Sequence, residues 1–226
     1  MSHFAALLST AEVFGKLTDP ERETLSRLAN KRHIKKGEII FYQEDLWSNV
    51  CYIATGELRS VINSPDGRSY IISPWAAGEA FWAHTLFDGL PMPSTLEASR
   101  ASTIYQWKGE DVLKIVLGNQ EATRDLLCRQ VSLIRRRREN IYSLVFNPVV
   151  SRLAKLIVNK FESTDNPTVQ RDLTLEEMAG MIATSPVVVC RLLYRFQADG
   201  ILSINRASIT LNDRKALECL VGQEDQ

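Results

Sequence analysis

The chain has 226 residues with 27 acidic and 27 basic side chains, so its formal net charge is zero. Hydrophobic residues make up 45% and charged residues 24%, values that are typical of globular proteins and that exclude a disordered or collagen-like chain. The four cysteines are scattered, no run of about 18 apolar residues occurs, and the N-terminus lacks the pattern of a signal peptide. We therefore expect a cytoplasmic protein without a membrane partner.

The first half of the chain has the sequence pattern of a β-sheet domain that follows short helices. Thr18-Asp19-Pro20-Glu21 offers a helix start. Between His33 and Trp107, runs of β-branched and aromatic residues alternate with turn signals at spacings of about 8–12 residues, which is typical of a sandwich or barrel. The Asp66-Gly67 pair favours a tight hairpin, because glycine accepts a positive φ. We predict that residues 1–118 form one antiparallel β domain.

A long helix is predicted for residues 119–147. Its apolar positions alternate in steps of three and four, with one arginine in the series: Leu127, Val131, Ile134, Arg138, Ile141 and Val145. We call these six residues the seam. A helix of about 40 Å is longer than one small domain needs, so the seam predicts a homodimer. An amphipathic helix buried on its own domain is the alternative. Asn147-Pro148 interrupts the helix and marks the domain boundary.

Residues 148–226 contain the most informative motif. A first helix is predicted at Val149–Phe161. Thr174 and Glu177 form a capping box that starts a second helix, predicted to end near Ala183. Ser185 and Pro186 suit the start of a third helix, which Asp199-Gly200 closes near Ala198. Two helices joined by a short turn predict a helix-turn-helix, and the following residues 202–211 predict a β-hairpin wing. A helix pair that does not bind DNA is the alternative.

Three segments, in this order, resemble the CRP/FNR family of dimeric bacterial transcription regulators. Lys36–Phe41 and Ile53–Leu58 are similar to the start of its cyclic-nucleotide-binding-type β-roll, and Leu144–Ala154 is similar to its hinge. The resemblance covers roughly residues 10–215 and implies an α+β fold. Its parts are a jelly-roll-like antiparallel β-roll that senses an effector (1–118), a central dimerisation helix with the hinge (119–147) and a winged helix-turn-helix (148–226). It also implies a homodimer on a near-palindromic operator of double-stranded DNA, with RNA polymerase as a further partner.

The recognition helix departs from the common family pattern. Family members often carry Glu and Arg on this helix, whereas this chain has Ser185-Pro186-Val187-Val188 and keeps Arg191 as a cation. Arginine can read guanine, while valine can contact only a thymine methyl or the groove wall, so we expect an unusual operator. A phosphate contact is the alternative role for Arg191. The predicted DNA contacts are Thr174, Ser185, Pro186, Val187, Val188, Arg191 and Arg206.

Cyclic AMP is not the expected effector. By resemblance, the Glu and Arg that hold the nucleotide fall at Ala83 and Pro93, and no Lys or Arg occurs between Trp75 and Ser99. An apolar, aromatic or anionic small molecule is expected instead, with the arginine run 135–138 either facing an anion or forming a solvated surface. The predicted effector contacts are Phe81, Trp82, His84, Thr85, Leu86, Ser94, Ile134, Arg137, Arg138 and Ile141.

The role of His84 determines whether a haem cofactor is expected. Its segment Gly78–His84 is similar to that of a haem-binding, carbon-monoxide-sensing member of the family, so a haem sensor with His84 as axial ligand is the alternative function. A hydrogen-bonding role or a structural role also fits a single histidine. An iron–sulfur cluster is not expected, because the first cysteine is Cys51 and no thiolates cluster near the N-terminus.

An enzyme is not predicted. The chain has three histidines and no metalloprotease, nucleophile-elbow, phosphate-loop or dinucleotide motif. A dimer that binds other proteins rather than DNA is the remote alternative.

Overall fold

The computed structural model describes residues 2–162, 164 and 166–221. These residues form two compact units, which comprise Met1–Pro65 with Ile72–Arg136, and Asp66–Ile71 with Arg137–Gln226. The division falls inside one unbroken helix, α5 (Gln120–Phe146), rather than at the predicted positions 118 and 147. Helix α5 has no core of its own. Its residues up to Arg136 therefore belong to the first unit by their contacts, and its residues from Arg137 belong to the second.

The first unit begins with helices and continues as two sheets, as predicted. The helical segments are α1 (His3–Leu8), a 3₁₀ turn (Phe14–Lys16), α2 (Asp19–Leu28), α3 (Thr85–Asp88) and α4 (Gly109–Leu117). The strands are β1 (Asn30–Ile34), β2 (Ile39–Phe41), β3 (Asn49–Thr55), β4 (Glu57–Asn63), β5 (Ser69–Ala76), β6 (Ala80–Trp82), β7 (Thr95–Ala98) and β8 (Ser102–Lys108). One sheet has the order β1-β8-β3-β6 and the other β2-β7-β4-β5, and the residue pairings are antiparallel. The predicted antiparallel β-roll is therefore confirmed.

The sheet β1-β8-β3-β6 is buried on both faces. Successive side chains of a strand point to opposite faces, so Val50 and Tyr52 of β3 pack with the N-terminal helices, while Cys51 and Ile53 face the other sheet. We call the first group, which is built around Phe14, the outer cluster, and the second group the inner cluster. Strand β3 therefore reads as a continuous apolar run.

A strained turn fixes the N-terminal segment against α5. Val13 has φ 69° and ψ −57°, the positive-φ geometry of a γ-turn, which is costly for a β-branched residue. The Phe14 amide donates to the Glu12 carbonyl at 2.8 Å across this turn. The Val13 amide donates to Oδ2 of Asp125 on α5 at 2.7 Å. The Asp125 carboxylate of α5 thus holds the turn in place by accepting this hydrogen bond.

The second unit is a small helical domain with a three-stranded sheet. Its elements are α6 (Val149–Phe161), β9 (Thr168–Gln170), α7 (Leu175–Met181), α8 (Pro186–Ala198), β10 (Leu202–Ile204), β11 (Ser208–Leu211) and α9 (Arg214–Val221). The sheet order is β10-β11-β9. Strand β9 lies in the segment between the first two predicted helices, where we predicted no strand, because the three residues of an edge strand are too few to show a pattern. Helix α9 was not predicted either.

Among the described residues, no single helix has the length and apolar composition needed to cross a membrane. Helices α7 and α8 together meet that test by length and composition, but a bend of 100° separates them.

Candidate DNA-binding and effector sites

The helix-turn-helix of the second unit begins with the predicted capping box. The Glu177 amide donates to Oγ1 of Thr174 at 3.1 Å, and the Thr174 amide donates to the Glu177 carboxylate at 2.8 Å. Both bonds satisfy amide groups that a helix start leaves free. The Thr174 hydroxyl is therefore engaged in positioning α7, while its predicted DNA contact stays a prediction.

The turn between α7 and α8 is longer than predicted. We expected α7 to reach Ala183, but it ends at Met181, and Ala183 has a left-handed φ of 51°. The Thr184 amide donates to the Ala179 carbonyl at 3.0 Å across the turn. A second cap starts α8, where Oγ of Ser185 accepts a hydrogen bond from the Val188 amide at 3.4 Å. The predicted bounds of α8, Pro186 to Ala198, are confirmed.

Helix α8 has one buried face and one exposed face. Val189, Leu193 and Phe196 lie in the core of the second unit. On the opposite face Val187 is 76% exposed, Arg191 is exposed and Tyr194 is 69% exposed. These three residues follow one another at intervals of four and three, so they share one side of the helix. Sequence reasoning missed Tyr194, although this spacing from Val187 and Arg191 points to it.

The remaining predicted DNA contacts lie beside this face. Pro186 and Val188 are half-buried at the start of α8, and Ser185 is exposed at its cap. Arg206 is exposed in the wing turn between β10 and β11. The structure therefore places the seven predicted residues on α8, at the N-caps of α7 and α8, and in the wing of a single unit.

Arg152 of α6 stabilises the hinge at Asn147-Pro148 after α5 through hydrogen bonds. Its guanidinium donates to the carbonyls of Leu144 at 3.2 Å and Asn147 at 2.9 Å, which form the end of α5 and the hinge. The same side chain donates through Nε to the Ile182 carbonyl in the helix-turn-helix at 3.0 Å. One residue thus joins the last turn of α5 to the turn that positions α8.

The seam of α5 is exposed along its full length in the single chain. The exposed fractions of its apolar members are 62% for Leu127, 49% for Val131, 67% for Ile134, 61% for Ile141 and 64% for Val145. Arg138 is exposed as well. The alternative of a helix whose apolar face is buried on its own domain is therefore wrong for these residues.

The predicted effector residues of the roll are divided between its two clusters. Phe81 belongs to the inner cluster, where its ring lies 5.1 Å from that of Trp75. Trp82 belongs to the outer cluster and stacks on Phe14 at 5.7 Å. Neighbouring residues of a strand point to opposite faces, so the structure does not bring Phe81 and Trp82 together. The prediction that both residues contact one effector did not allow for this alternation.

The other predicted residues of this segment surround α3. The Thr85 hydroxyl donates to the Leu90 carbonyl at 2.7 Å, and Ser94 is buried. Leu86 packs against both clusters. His84 is exposed just before α3, with its ring 6.5 Å from that of Phe81. A role of His84 as a haem ligand stays a prediction.

Aromatic rings fill the inner cluster beside Phe81. Phe41 stacks on Trp47 at 4.5 Å and lies 5.5 Å from Phe81, and the Trp75 indole donates to the Ser60 hydroxyl at 2.9 Å. Leu133 of α5 packs against this cluster. The sequence did not predict this group of aromatic rings, because Phe41, Trp47 and Trp75 lie on segments far apart in the chain.

Arg129 joins three parts of the first unit to α5. Its guanidinium pairs with Glu79 of the β5–β6 turn and with Glu12 of the N-terminal segment, the latter at 3.0 Å. It also lies 6.0 Å over the Trp75 ring. The Arg129 side chain is 9% exposed and Glu79 is 23% exposed, so their interaction is largely shielded from water, whereas Glu12 is 61% exposed.

Arg137 and Arg138 belong to the second unit by their contacts. Arg137 is half-buried. Burial of the phenol raises the pKa of Tyr70, and the charges of Arg137 and Arg152 oppose this rise in part. Arg138 is exposed, as are Ile134 and Ile141. The predicted effector contacts of these four residues stay predictions.

Two domain families match the chain. The cyclic nucleotide-binding domain matches residues 31–119, and the Crp-like helix-turn-helix domain matches residues 151–220. A CRP-like cAMP-activated global transcriptional regulator of Mycobacterium tuberculosis (strain CDC 1551 / Oshkosh) is 23% identical over 221 residues, which cover 93% of this chain and 96% of that protein.

Solved structures show the same fold. A putative transcriptional regulator of the CRP/FNR family from Eubacterium rectale has a TM-score of 0.77 and 19% identity, with 93% of this chain and 98% of that chain covered. The c-di-GMP responsive global regulator CLP of Xanthomonas campestris has a TM-score of 0.76 and 18% identity, with 87% and 100% covered. With both domains matched in the predicted order, this chain belongs to the CRP/FNR family of transcription regulators and carries its DNA-binding helix-turn-helix.

Proposed function

We propose that this regulator acts as a homodimer that binds a near-palindromic operator and responds to a small effector other than cyclic AMP. The observation that carries the proposal is the exposed seam of α5, on the same chain as a capped helix-turn-helix. By resemblance, RNA polymerase is the further partner.

The seam supports dimerisation because its spacing suits a second copy of the same helix. Apolar residues that recur at steps of four and three pack into the gaps of an identical facing helix. Five apolar seam residues are at least 49% exposed in the single chain, an arrangement that costs free energy in water until a partner covers them. Arg138 is the one polar residue of the seam. In coiled coils a single polar residue at such a position fixes the register of the two helices.

A dimer of this kind reads DNA in two equal halves. The face formed by Val187, Arg191 and Tyr194 is narrow enough to enter the major groove on one helix. Two-fold symmetry then requires half-sites about 34 Å apart, which is one turn of DNA. Sequence-selective binding to such a site, measured by mobility shift against scrambled DNA, tests this function directly, and equal binding to both DNAs would contradict it.

Arg191→Ala is expected to weaken operator binding by about 1–3 kcal/mol for each half-site and to relax preference at one base pair of each half-site. The physical reason is the loss of a bidentate guanidinium contact to a base edge. Binding to a set of operators with single base changes measures the effect.

Arg195→Ala is the matched control for this change. Arg195 lies on the same helix, one turn later, with its guanidinium 3.7 Å from Asp199. We expect this variant to keep the base preference of the wild type. If Arg191→Ala lowers affinity equally for all sequences, Arg191 contacts a phosphate and not a base.

The effector is proposed to bind where the first half of α5 covers the inner cluster. Phe81, Trp75 and Leu133 form an apolar wall there, with the Arg129 guanidinium at its edge. Such a wall suits an apolar or aromatic molecule, and an anionic group on it could approach an arginine of α5. Relatives of similar fold are described as responsive to cAMP or to c-di-GMP, so the fold alone does not define the effector.

Signal transfer to DNA is proposed to run along α5 to the hinge. Arg152 ties the end of α5 to the helix-turn-helix through the carbonyls of Leu144 and Ile182. A change at the end of α5 therefore reaches the turn that positions α8. An effector that raises operator affinity a hundredfold must favour the DNA-binding state by about 2.7 kcal/mol.

Cyclic AMP is expected to leave operator affinity unchanged. Ala83 is fully buried in the inner cluster and Pro93 offers no charged donor, so the cyclic phosphate and ribose lack their partners at the positions implied by resemblance. Operator binding titrated with cyclic AMP, and in parallel with small aromatic carboxylic acids, checks this expectation. A rise in affinity with cyclic AMP would contradict it.

A further inference from the structure

A cavity of about 270 Å³ lies between helix α8 and the wing, within the second unit. Its volume is just below the range of roughly 300–1,000 Å³ that is usual for drug-sized ligands. The cavity therefore has room for a small organic molecule and for more than a single inorganic ion. It is separate from the effector site proposed above, because that site lies in the first unit.

Part of the cavity lining is apolar. Leu193 of α8 is buried, and Leu175 of α7 and Ile204 of β10 pack against the same core. We call these three residues the apolar side of the cavity. A bare inorganic anion gains nothing from such a surface, whereas a ring or a short hydrocarbon chain gains free energy by leaving water there. The apolar side thus favours a ligand with a hydrocarbon part.

The charged part of the lining is cationic. Arg171 and Arg206 both line the cavity, and none of the described residues that line it carries a carboxylate. A guanidinium group matches a carboxylate, because two parallel N–H groups can donate to its two oxygens. Together with the apolar side, these cations define the ligand class as a small organic acid.

Arg171 is held in position by the wing. Its amide donates to the Ala207 carbonyl at 2.8 Å, and its guanidinium donates to the Asn205 carbonyl at 3.4 Å. Oδ1 of Asn205 accepts from the amides of Ala207 and Ser208, both at 2.8 Å, so the wing turn itself is fixed. Arg171 is also half-buried. A cation that is already positioned loses less conformational entropy when it binds an anion.

We propose that this cavity binds a small organic acid and that the bound acid opposes DNA binding. Arg171 and Arg206 hold the carboxylate, and the hydrocarbon part lies against the apolar side. The acid then occupies Arg206, a predicted DNA contact, and lies beside Tyr194 of the exposed face of α8. It also neutralises positive charge where an anionic duplex has to approach. The competition with DNA rests on the proposed function, whereas binding of the acid does not.

Binding is tested by isothermal titration calorimetry of the full-length protein with 3-phenylpropionate, which carries both a ring and a carboxylate. Three controls each lack one feature: acetate has no ring, 3-phenylpropionamide has no charge, and inorganic phosphate is an anion without hydrocarbon. We expect saturable binding of 3-phenylpropionate, at least about tenfold tighter than that of any control. Equally tight binding of one of the controls, or no binding of 3-phenylpropionate, would overturn the proposal.

Two variants locate the site. Arg171→Gln and Arg206→Gln are each expected to weaken binding of 3-phenylpropionate at least about tenfold, because each removes a charge-assisted hydrogen bond. Thermal unfolding checks both folds, and Arg206→Gln, in an exposed turn, tests the site even if Arg171→Gln loosens the wing. Arg214→Gln is the matched control, because Arg214 is paired with Glu218 at 2.8 Å and does not line the cavity. Binding that both cavity variants retain in full places the acid elsewhere, such as in the roll, and overturns this site.

Competition is tested by operator binding at constant ionic strength. At a concentration of 3-phenylpropionate ten times its Kd, operator affinity is expected to fall about elevenfold for each subunit that has to release the acid. Arg171→Gln should lose this effect. Unchanged operator affinity with the acid bound overturns the competition. A wild type that binds the acid but does not bind the operator selectively contradicts the proposed function and supports the ligand site alone.

Discussion

Replacing Ile134 and Ile141 together by aspartate is expected to turn the proposed dimer into monomers at micromolar concentration. The double variant would place four carboxylates in the seam of a dimer, and burial of an unpaired charge costs several kcal/mol. In the single chain the two isoleucines are 67% and 61% exposed, so the monomer should fold normally. Sedimentation equilibrium measures the association, and circular dichroism checks the fold.

Leu46→Asp with Leu117→Asp provides the matched control for this experiment. These leucines are 72% and 60% exposed, and they lie outside α5. The same chemical change there should leave the dimer intact. If the seam variant still sediments as a dimer, the interface lies elsewhere. If the seam variant is monomeric and keeps full affinity for a palindromic operator, the proposal that a dimer binds two half-sites is wrong.

Arg129→Met is expected to lower the free energy of unfolding by about 2–3 kcal/mol, somewhat less than a fully buried ion pair would. The change removes a largely buried charge that pairs with Glu79 and Glu12, and it leaves Glu79, 23% exposed, without this partner. Glu12 is 61% exposed, so water solvates its carboxylate when Arg129 is removed, and it contributes little to the loss of stability. Denaturant unfolding at one fixed protein concentration measures the effect, because dimer stability depends on concentration.

Arg124→Met is the control for charge loss on the same helix, since Arg124 is exposed. We expect it to change stability little. A double-mutant cycle with Glu79→Gln isolates the coupling between Arg129 and the β5–β6 turn. Equal stability of Arg129→Met and wild type would show that Arg129 does not stabilise the roll.

Sequence alone predicted the elements whose ends are marked by local chemistry. The bounds of α8 follow from Ser185, Pro186 and Gly200, because each residue acts on backbone groups within a few positions. Gly200 takes the left-handed φ of 74° that closes the helix. The end of α7 was misplaced, because nothing in the side chain of Ala183 signals its left-handed backbone.

Contacts between distant segments could not be predicted in the same way. Arg129 meets Glu12, Glu79 and Trp75 only after the roll has brought these segments to α5. The separation of Phe81 from Trp82 is different, because strand alternation was available in the sequence. What was missing was the knowledge that both faces of β6 are buried, which depends on the N-terminal helices covering one of them.

The strained turn at Val13 ties the N-terminal segment to a distant part of the chain. Its positive φ is costly for a β-branched residue, and Asp125, 112 residues later in the chain, accepts the hydrogen bond of the Val13 amide. We therefore expect the N-terminal segment to adopt its final conformation only after the first half of α5 lies against the roll. Because a strained turn favours local opening, we also expect this segment to open before the rest of the domain, so that its amides exchange with solvent while those of β3 stay protected.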